Sequence, residues 1–444
     1  MLPVKEQASR DLTSPGSGPA NILVRGVNWL GDAVMTTPAL QRLRERFPQS
    51  QITLVTPHKL KDLWLHHPAI DEVIPFSPKE SVVRVGSRIR GWKFLKTAAQ
   101  FEKGRLKGEH RNLEEATVRA MQFYSLIGDF RAQPFQFAVI FPNSPRSALE
   151  AWLARIPRRI GYARPWRNWM LTDRVPERAG AVEMRKRSAR EIRRLIFGDG
   201  PPEKAPITEV SSSAHHIFQY LHLVASLGAN PGPIPPRLEI APTEEHSMRE
   251  SLLREAGERW NELESDKIRF LAINPSAAYG PAKRWPADRF ADVAHAVCER
   301  IPNAVWVALG GPDDVSICDE VAGLAKTRML NRAGKSDLRE MMSILKVAEV
   351  LLTNDSGPMH VAAALGTPVV VPFGSTSSAL TGPGLPGTSH QQLLSANAPC
   401  SPCFLRECPI DFRCMTGISK EAVLAAVLQL VKNRASQDGT PAQN

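Results

Sequence analysis

Five short stretches of this 444-residue chain place glycine and small polar residues, in four of them beside a charged group, at the end of an apolar run. That is the make-up of a loop leaving a buried strand to hold a ligand. The first is Arg25-Gly-Val-Asn-Trp-Leu-Gly-Asp32. Gly26 and Gly31 allow a tight turn and a close backbone approach. Asp32 then falls at the start of a helix, either as an ordinary N-terminal cap or as a carboxylate facing a cleft. The spacing is not the G-x-G-x-x-G of a dinucleotide site. The second is Thr353-Asn-Asp-Ser-Gly-Pro-Met-His360. Ser356 and Gly357 leave backbone N–H groups free at a helix start, with Pro358 at an early helical position, which makes an anion site for a phosphate or pyrophosphate. Asp355 can hold a sugar hydroxyl. His360, one turn in, is either a donor to a phosphate oxygen or a satisfied core histidine. In the third, Asn274 to Pro286, Lys283 and Arg284 can neutralise a leaving diphosphate and Ser276 can hydrogen-bond it, while Trp285 packs. Gly310-Gly-Pro-Asp-Asp314 offers Asp313 to a ribose, and Pro372-Phe-Gly-Ser-Thr376 is a small-residue loop. Four of the five lie in the second half of the chain, which points to a nucleotide site there.

A sixth stretch holds Cys400, Cys403, Cys408 and Cys414, spaced C-x2-C-x4-C-x5-C. In a cytosolic protein four thiolates so close together favour structural zinc or an iron–sulfur cluster over disulfides. The spacing is tighter than that of a two-knuckle zinc ribbon, and reduced structural thiols are the alternative. Cys298 and Cys318 fall in predicted helices as buried hydrophobes.

The elements that must position these loops alternate strand and helix. Strands are predicted at 21–26, 51–56, 72–76, 135–142 and 159–162, with helices at 33–47, 59–66, 144–154 and 214–227 between and after them. A Pro-rich linker, 229–240, separates a second series. Its strands are 269–274, 304–309, 349–353 and 368–372, and its helices are 287–300, 314–326, 338–348, 359–365 and 419–433. This order gives an α/β fold of two Rossmann-like domains facing across a cleft, 21–228 and 241–434. Residues 79–131 interrupt it as a basic helical insertion carrying Trp92, Phe94 and Phe101. Residues 1–20 and 435–444 read as disordered tails. With 43% hydrophobic and 23% charged residues the chain is globular, and no apolar run reaches the ~18 residues of a spanning helix.

The net charge of +11 calls for an anionic partner: nucleic acid, a phosphorylated ligand or a membrane surface. It is uneven. Residues 79–131 carry 12 basic and 6 acidic side chains, and residues 146–194 carry 14 and 5, so the rest of the chain is slightly acidic. The surplus belongs to the first domain.

Four blocks resemble the ADP-heptose:lipopolysaccharide heptosyltransferases of glycosyltransferase family 9, most closely the heptosyltransferase II branch. They are Ile22 to Pro38, Pro142-Asn-Ser-Pro-Arg-Ser147, Pro157-Arg-Arg-Ile-Gly-Tyr162 and Asn354 to Pro368. The cysteine segment also resembles a block seen in many members. The resemblance implies a GT-B fold and an inverting transfer that needs no cofactor. It implies a C-terminal domain for ADP-heptose and an N-terminal domain for a lipid A–Kdo–heptose type acceptor of the lipopolysaccharide inner core. It gives Asp32 as catalytic base and Lys283, Asp355, Gly357, His360 and Asp313 as donor-site positions, to which Ser276 and Ser356 are added from the loop chemistry. Asn28, Lys59, Lys61, Asn143, Arg146 and Arg164 are candidate acceptor contacts. The expected protein is a cytoplasmic monomer, peripheral on the anionic cytoplasmic face of the inner membrane, with no nucleic-acid partner. The insertion departs from compact members of the family. The alternatives are a family member with another acceptor (heptosyltransferase I or III type), a basic nucleic-acid-binding protein, and a nicotinamide-dependent oxidoreductase.

Overall fold

The computed structural model describes residues 19–76, 113–198, 211–388 and 390–438. The first half forms a parallel sheet from β1 (Asn21–Arg25), β2 (Gln51–Pro57), β3 (Glu72–Phe76), β4 (Phe137–Ile140), β5 (Arg158–Tyr162) and β6 (Asp173–Val175), in the order β3-β2-β1-β4-β5-β6. The second half repeats it with β7 (Arg269–Asn274), β8 (Ala304–Ala308), β9 (Met329–Asn331), β10 (Leu351–Thr353), β11 (Val369–Phe373) and β12 (Gln391–Ser395), in the order β12-β11-β10-β7-β8-β9. Both orders reverse direction once, between β1 and β4 and between β7 and β10. In open parallel sheets that switch point is where ligands are held. The central strands are continuous apolar runs, as strands covered on both faces must be; β4, β8 and β10 are buried along their whole length.

The helices follow from local chemistry. The predicted helix 33–47 is two, α1 (Leu30–Met35) and α2 (Thr37–Arg46). Pro38 has no N–H to give the carbonyl of Val34, and the Thr37 hydroxyl donates to it instead, at 2.8 Å. α3 (Leu113–Ala132) is the end of the expected helical insertion, and residues 77–112, with Trp92, Phe94 and Phe101, lie outside the described residues. α4 (Pro145–Leu153) starts on the Ser144 cap, whose hydroxyl accepts the N–H of Ser147. Next come α5 (Ala189–Phe197), α6 (Ile217–Ala225) and α7 (Pro242–Arg259), followed by α8 (Ala287–Arg300), α9 (Val315–Ala325) and α10 (Leu338–Val347). The last are α11 (Gly357–Ala364), α12 (Ser378–Thr381), α13 (Arg413–Thr416) and α14 (Lys420–Asp438). The predicted helix 59–66 is a 3-10 turn, His58–Trp64.

Three expectations change. The domain boundary is crossed by α5, which belongs to the first half in sequence but packs on the second. Ile192 sits in the second domain's core, Arg187 N–H donates to the carbonyl of Cys403, and Arg413 lies over the ring of Phe197. The C-terminal tail starts later than expected, since α14 runs to Asp438. Residues 242–259, assigned to no element from the sequence, form α7; Pro242 opens it and Glu244 accepts the N–H of Ala241. Residues 229–240 form neither helix nor strand and tie both halves: Arg237 N–H reaches Thr37 and Leu238 N–H reaches Ala364.

Candidate active site

The loops that leave β1 and β10 meet across the cleft. α1 and α11 point their N-termini at each other, and each gives up a side chain at the contact. A methyl group on Gly31 would lie 2.6 Å from Cδ2 of His360, and one on Gly357 would lie 2.8 Å from Cδ1's twin, Cδ2, of Leu30. The glycines expected to allow close approach to a ligand therefore also allow close approach of one domain to the other. Asn354, fully buried, sews the β7 and β10 loops together. Its carbonyl oxygen accepts the N–H of Trp285 at 2.9 Å and its amide donates to the carbonyl of Pro275 at 2.8 Å. No local pattern marks this role of Asn354, which appears only when the two loops are adjacent.

Three charged groups share this contact. Lys283 Nζ lies 2.6 Å from Asp355 Oδ2, both largely buried, and the Thr376 hydroxyl also donates to Asp355. The ammonium stands 4.9 Å from the ring centroid of Tyr279. Asp32 is the third residue of α1, whose cap position is Trp29, so the simple cap role does not apply. The start of a helix favours an ionised carboxylate, and Lys283 favours it too, yet burial outweighs both and Asp355 adds repulsion. The carboxyl is raised from 3.8 to about 6. His360 is buried and its pKa is lowered to about 3, chiefly by desolvation, so the ring is neutral near pH 7; its Nδ1 has no partner.

A neighbouring pair was not legible in the sequence. His216 Nε2 lies 3.2 Å from the hydroxyl of Tyr220, the first residue just before α6 and the second within it. Burial raises the phenol well above 10, with Asp32 the next contributor, so Tyr220 stays a neutral hydroxyl within electrostatic reach of the carboxylate. His215 Nε2 meets the carbonyl of Gly382 at 2.9 Å, which anchors the start of α6 to the second domain.

The remaining predicted residues divide. Ser276 is buried and its hydroxyl donates to Asp314, which also receives Gly311 N–H at 2.9 Å. Asp314 thus holds the β7 and β8 loops together, and Asp313 beside it is exposed. Ser356 is the N-cap of α11, with its hydroxyl 3.3 Å from that of Thr353. Among the acceptor candidates, Asn28 is exposed next to Trp29, and Lys59 brings its ammonium within 5.6 Å of the Trp29 ring, on the Asp32 side of the cleft. Lys61 is half-buried in the 3-10 turn. Arg146 is committed to Glu150, which also holds buried Arg25 at 2.6 Å, and Arg164 pairs with Glu177. Asn143 is exposed after β4.

The four cysteines of the sixth stretch are free thiols, and Cys400, Cys403 and Cys414 join the second domain's core. Burial raises all three, Cys414 to about 12, which favours the protonated thiol. Among the described residues no group of three or more His, Cys, Asp or Glu side chains is arranged to hold a metal ion.

The model of glycosyltransferase family 9 (heptosyltransferase) matches residues 207–412, the part of the chain that holds four of the five ligand loops. Over that part the chain is similar to glycosyltransferase family 9. Its likeness to curated family proteins extends into the first domain. Lipopolysaccharide heptosyltransferase 2 of Salmonella typhimurium is 26% identical over 82% of this chain and 85% of its own length. The protein of the same name from Escherichia coli K12 is 25% identical over the same shares. Among solved structures, E. coli ADP-heptose LPS heptosyltransferase II superposes with a TM-score of 0.63 at 22% identity, covering 94% of this chain and 99% of that one. A family 9 glycosyltransferase from Veillonella parvula gives 0.64 at 22%, covering 93% and 97%. The paired sheets are thus the GT-B architecture of the family, and Asp32 and Asp355 stand on opposite walls of its cleft.

Proposed function

We propose that the protein transfers L-glycero-D-manno-heptose from ADP-heptose to the inner core of lipopolysaccharide, with inversion, as a heptosyltransferase II. The observation that carries this reading is the Lys283–Asp355 pair at the N-terminus of α11, set opposite a carboxyl raised to about 6. A sugar hydroxyl is a poor nucleophile at neutral pH. Asp32, ionised above pH 6 and more basic than an ordinary aspartate, takes its proton as the new C–O bond forms. The anomeric carbon then carries oxocarbenium character and the bond to ADP breaks. Lys283 and the free N–H groups of α11 stand where the departing diphosphate gathers charge. Asp355 is the resting partner of Lys283 and the group for a donor hydroxyl. Because the positive charge is built into the protein, the reaction calls for no divalent cation or other cofactor.

Asn28, Lys59 and Asn143, exposed around the first domain's switch point, are the acceptor wall. The acceptor is a lipid, and the basic surplus of the first domain suits an anionic membrane surface, so the enzyme works as a peripheral monomer on the cytoplasmic face of the inner membrane. Among the described residues no helix is long and apolar enough to cross a membrane. The test is incubation of the purified protein with ADP-heptose and a series of truncated core lipids, with mass detection of products. The expected product is a heptose added to a core that already carries one heptose. Addition to a heptose-free core instead would reassign the step, and no addition from ADP-heptose to any core would end this reading.

A further inference from the structure

Three tryptophans stand in water on one face of the first domain. Trp152, Trp166 and Trp169 are 40%, 54% and 60% exposed, and the rings of Trp152 and Trp169 meet edge to face at 5.3 Å. Large indoles are seldom left so open on a surface without a use. Their setting is basic. Arg131 donates to the carbonyl of Leu153, beside Trp152, at 2.8 Å, and Arg174 donates to the carbonyl of Asn168, beside Trp169, at 3.1 Å. Arg155, exposed, follows α4 directly. Between the ends of α3 and α4 lies a cavity of about 430 Å³ whose wall includes Arg131, Arg155, Phe130 and Phe135 and has no acidic residue. The face also reaches the cleft, because Trp166 Nε1 donates to the carbonyl of Asn143 in the loop after β4.

We propose that this face docks on an anionic lipid bilayer. The indoles enter the headgroup region, where an apolar ring with one N–H donor is at home. Arg131, Arg155 and Arg174 meet lipid phosphates, and the arginine-walled cavity takes one headgroup. The bilayer is favoured over a protein partner because flat aromatic surface stands beside arginines and the cavity they line has no acid in its wall. Docked this way, the cleft mouth at Asn143 opens toward the membrane that carries the acceptor. The proposal rests on the functional reading only for the lipid nature of that acceptor.

The experiment is sedimentation of the full chain with vesicles of phosphatidylethanolamine and phosphatidylglycerol, and with vesicles of phosphatidylcholine alone. The wild type is expected to sediment with the first and remain free with the second. The combined variant Trp152→Ala/Trp166→Ala/Trp169→Ala, and separately Arg131→Glu/Arg155→Glu, should each bind the anionic vesicles at least about tenfold more weakly. A thermal melt establishes that each variant is folded, and either one alone can decide the matter. Both variants should keep wild-type transfer to a deacylated, water-soluble core acceptor, a readout that fails for every form of the protein if the heptosyltransferase reading itself is wrong. Wild-type vesicle binding by folded variants, or equal binding to both vesicle types, would overturn the proposal.

Discussion

Replacing Asp32 with Asn should destroy activity and stabilise the protein at the same time. The carboxyl sits in the first turn of α1 against the second domain, and burial lifts it from 3.8 to about 6. A raised folded-state value means that the ionised form is the one the fold disfavours. The cost is absent below pH 3.8, where the group is protonated folded or unfolded. It grows between pH 3.8 and about 6 and is complete above that. The full rise is worth about 3 kcal/mol, and since the side chain keeps some access to the cleft, a gain of about 1–3 kcal/mol is the expectation for Asn at pH 7. Thermal melts should show Asp32→Asn melting above the wild type at pH 7, with the difference closing as the pH falls through 6 toward 4. Transfer should fall by about 10²–10⁴, the usual contribution of a general base. The wild-type rate should itself decline below pH 6, to about a tenth at pH 5, whereas an unperturbed aspartate would still be over nine-tenths ionised there. A variant that loses activity but melts at or below the wild type would refute the burial argument. One that melts higher yet turns over normally would refute the assignment of the base.

Three further outcomes follow from the same contacts. Gly31→Ala would push a methyl group into the His360 ring, so it should hold the two domains apart and lower kcat/KM by about tenfold or more while each domain stays folded; small-angle scattering should report the opening, and an unchanged profile would count against it. Lys283→Met should weaken ADP-heptose binding and slow transfer, because it removes the cation from the diphosphate and leaves Asp355 buried without its partner; calorimetry with ADP measures the first effect, and unaltered affinity would remove Lys283 from the donor site. Dialysis against a chelator should leave transfer intact, since Lys283 and the start of α11 supply the positive charge; a loss restored by magnesium or manganese would show that they do not.

The two repeats, the loops at the strand ends and most of the candidate residues can be read from the chain alone. These rest on local rules: apolar runs make central strands, proline and glycine end them, and a small-residue loop before a helix makes an anion site. Asp32, Lys283, Asp355 and Gly357 were legible because each lies in such a loop. What the tertiary structure decided is what happens between segments far apart in the chain. Asp314, rather than Asp313, became the engaged acid because Ser276 of another loop comes to it. Asn354 acquired its task from two strands that meet only in the sheet. α5 changed domains because its apolar face finds the second core, and no local pattern marks which core a helix will choose. His360 and Gly31 show the same limit. Locally, Gly31 reads as a turn that lets backbone approach a ligand and His360 as a phosphate donor or a core histidine; each is also the place where one domain rests on the other, since desolvation and steric fit depend on what lies across the gap rather than on what precedes in the sequence.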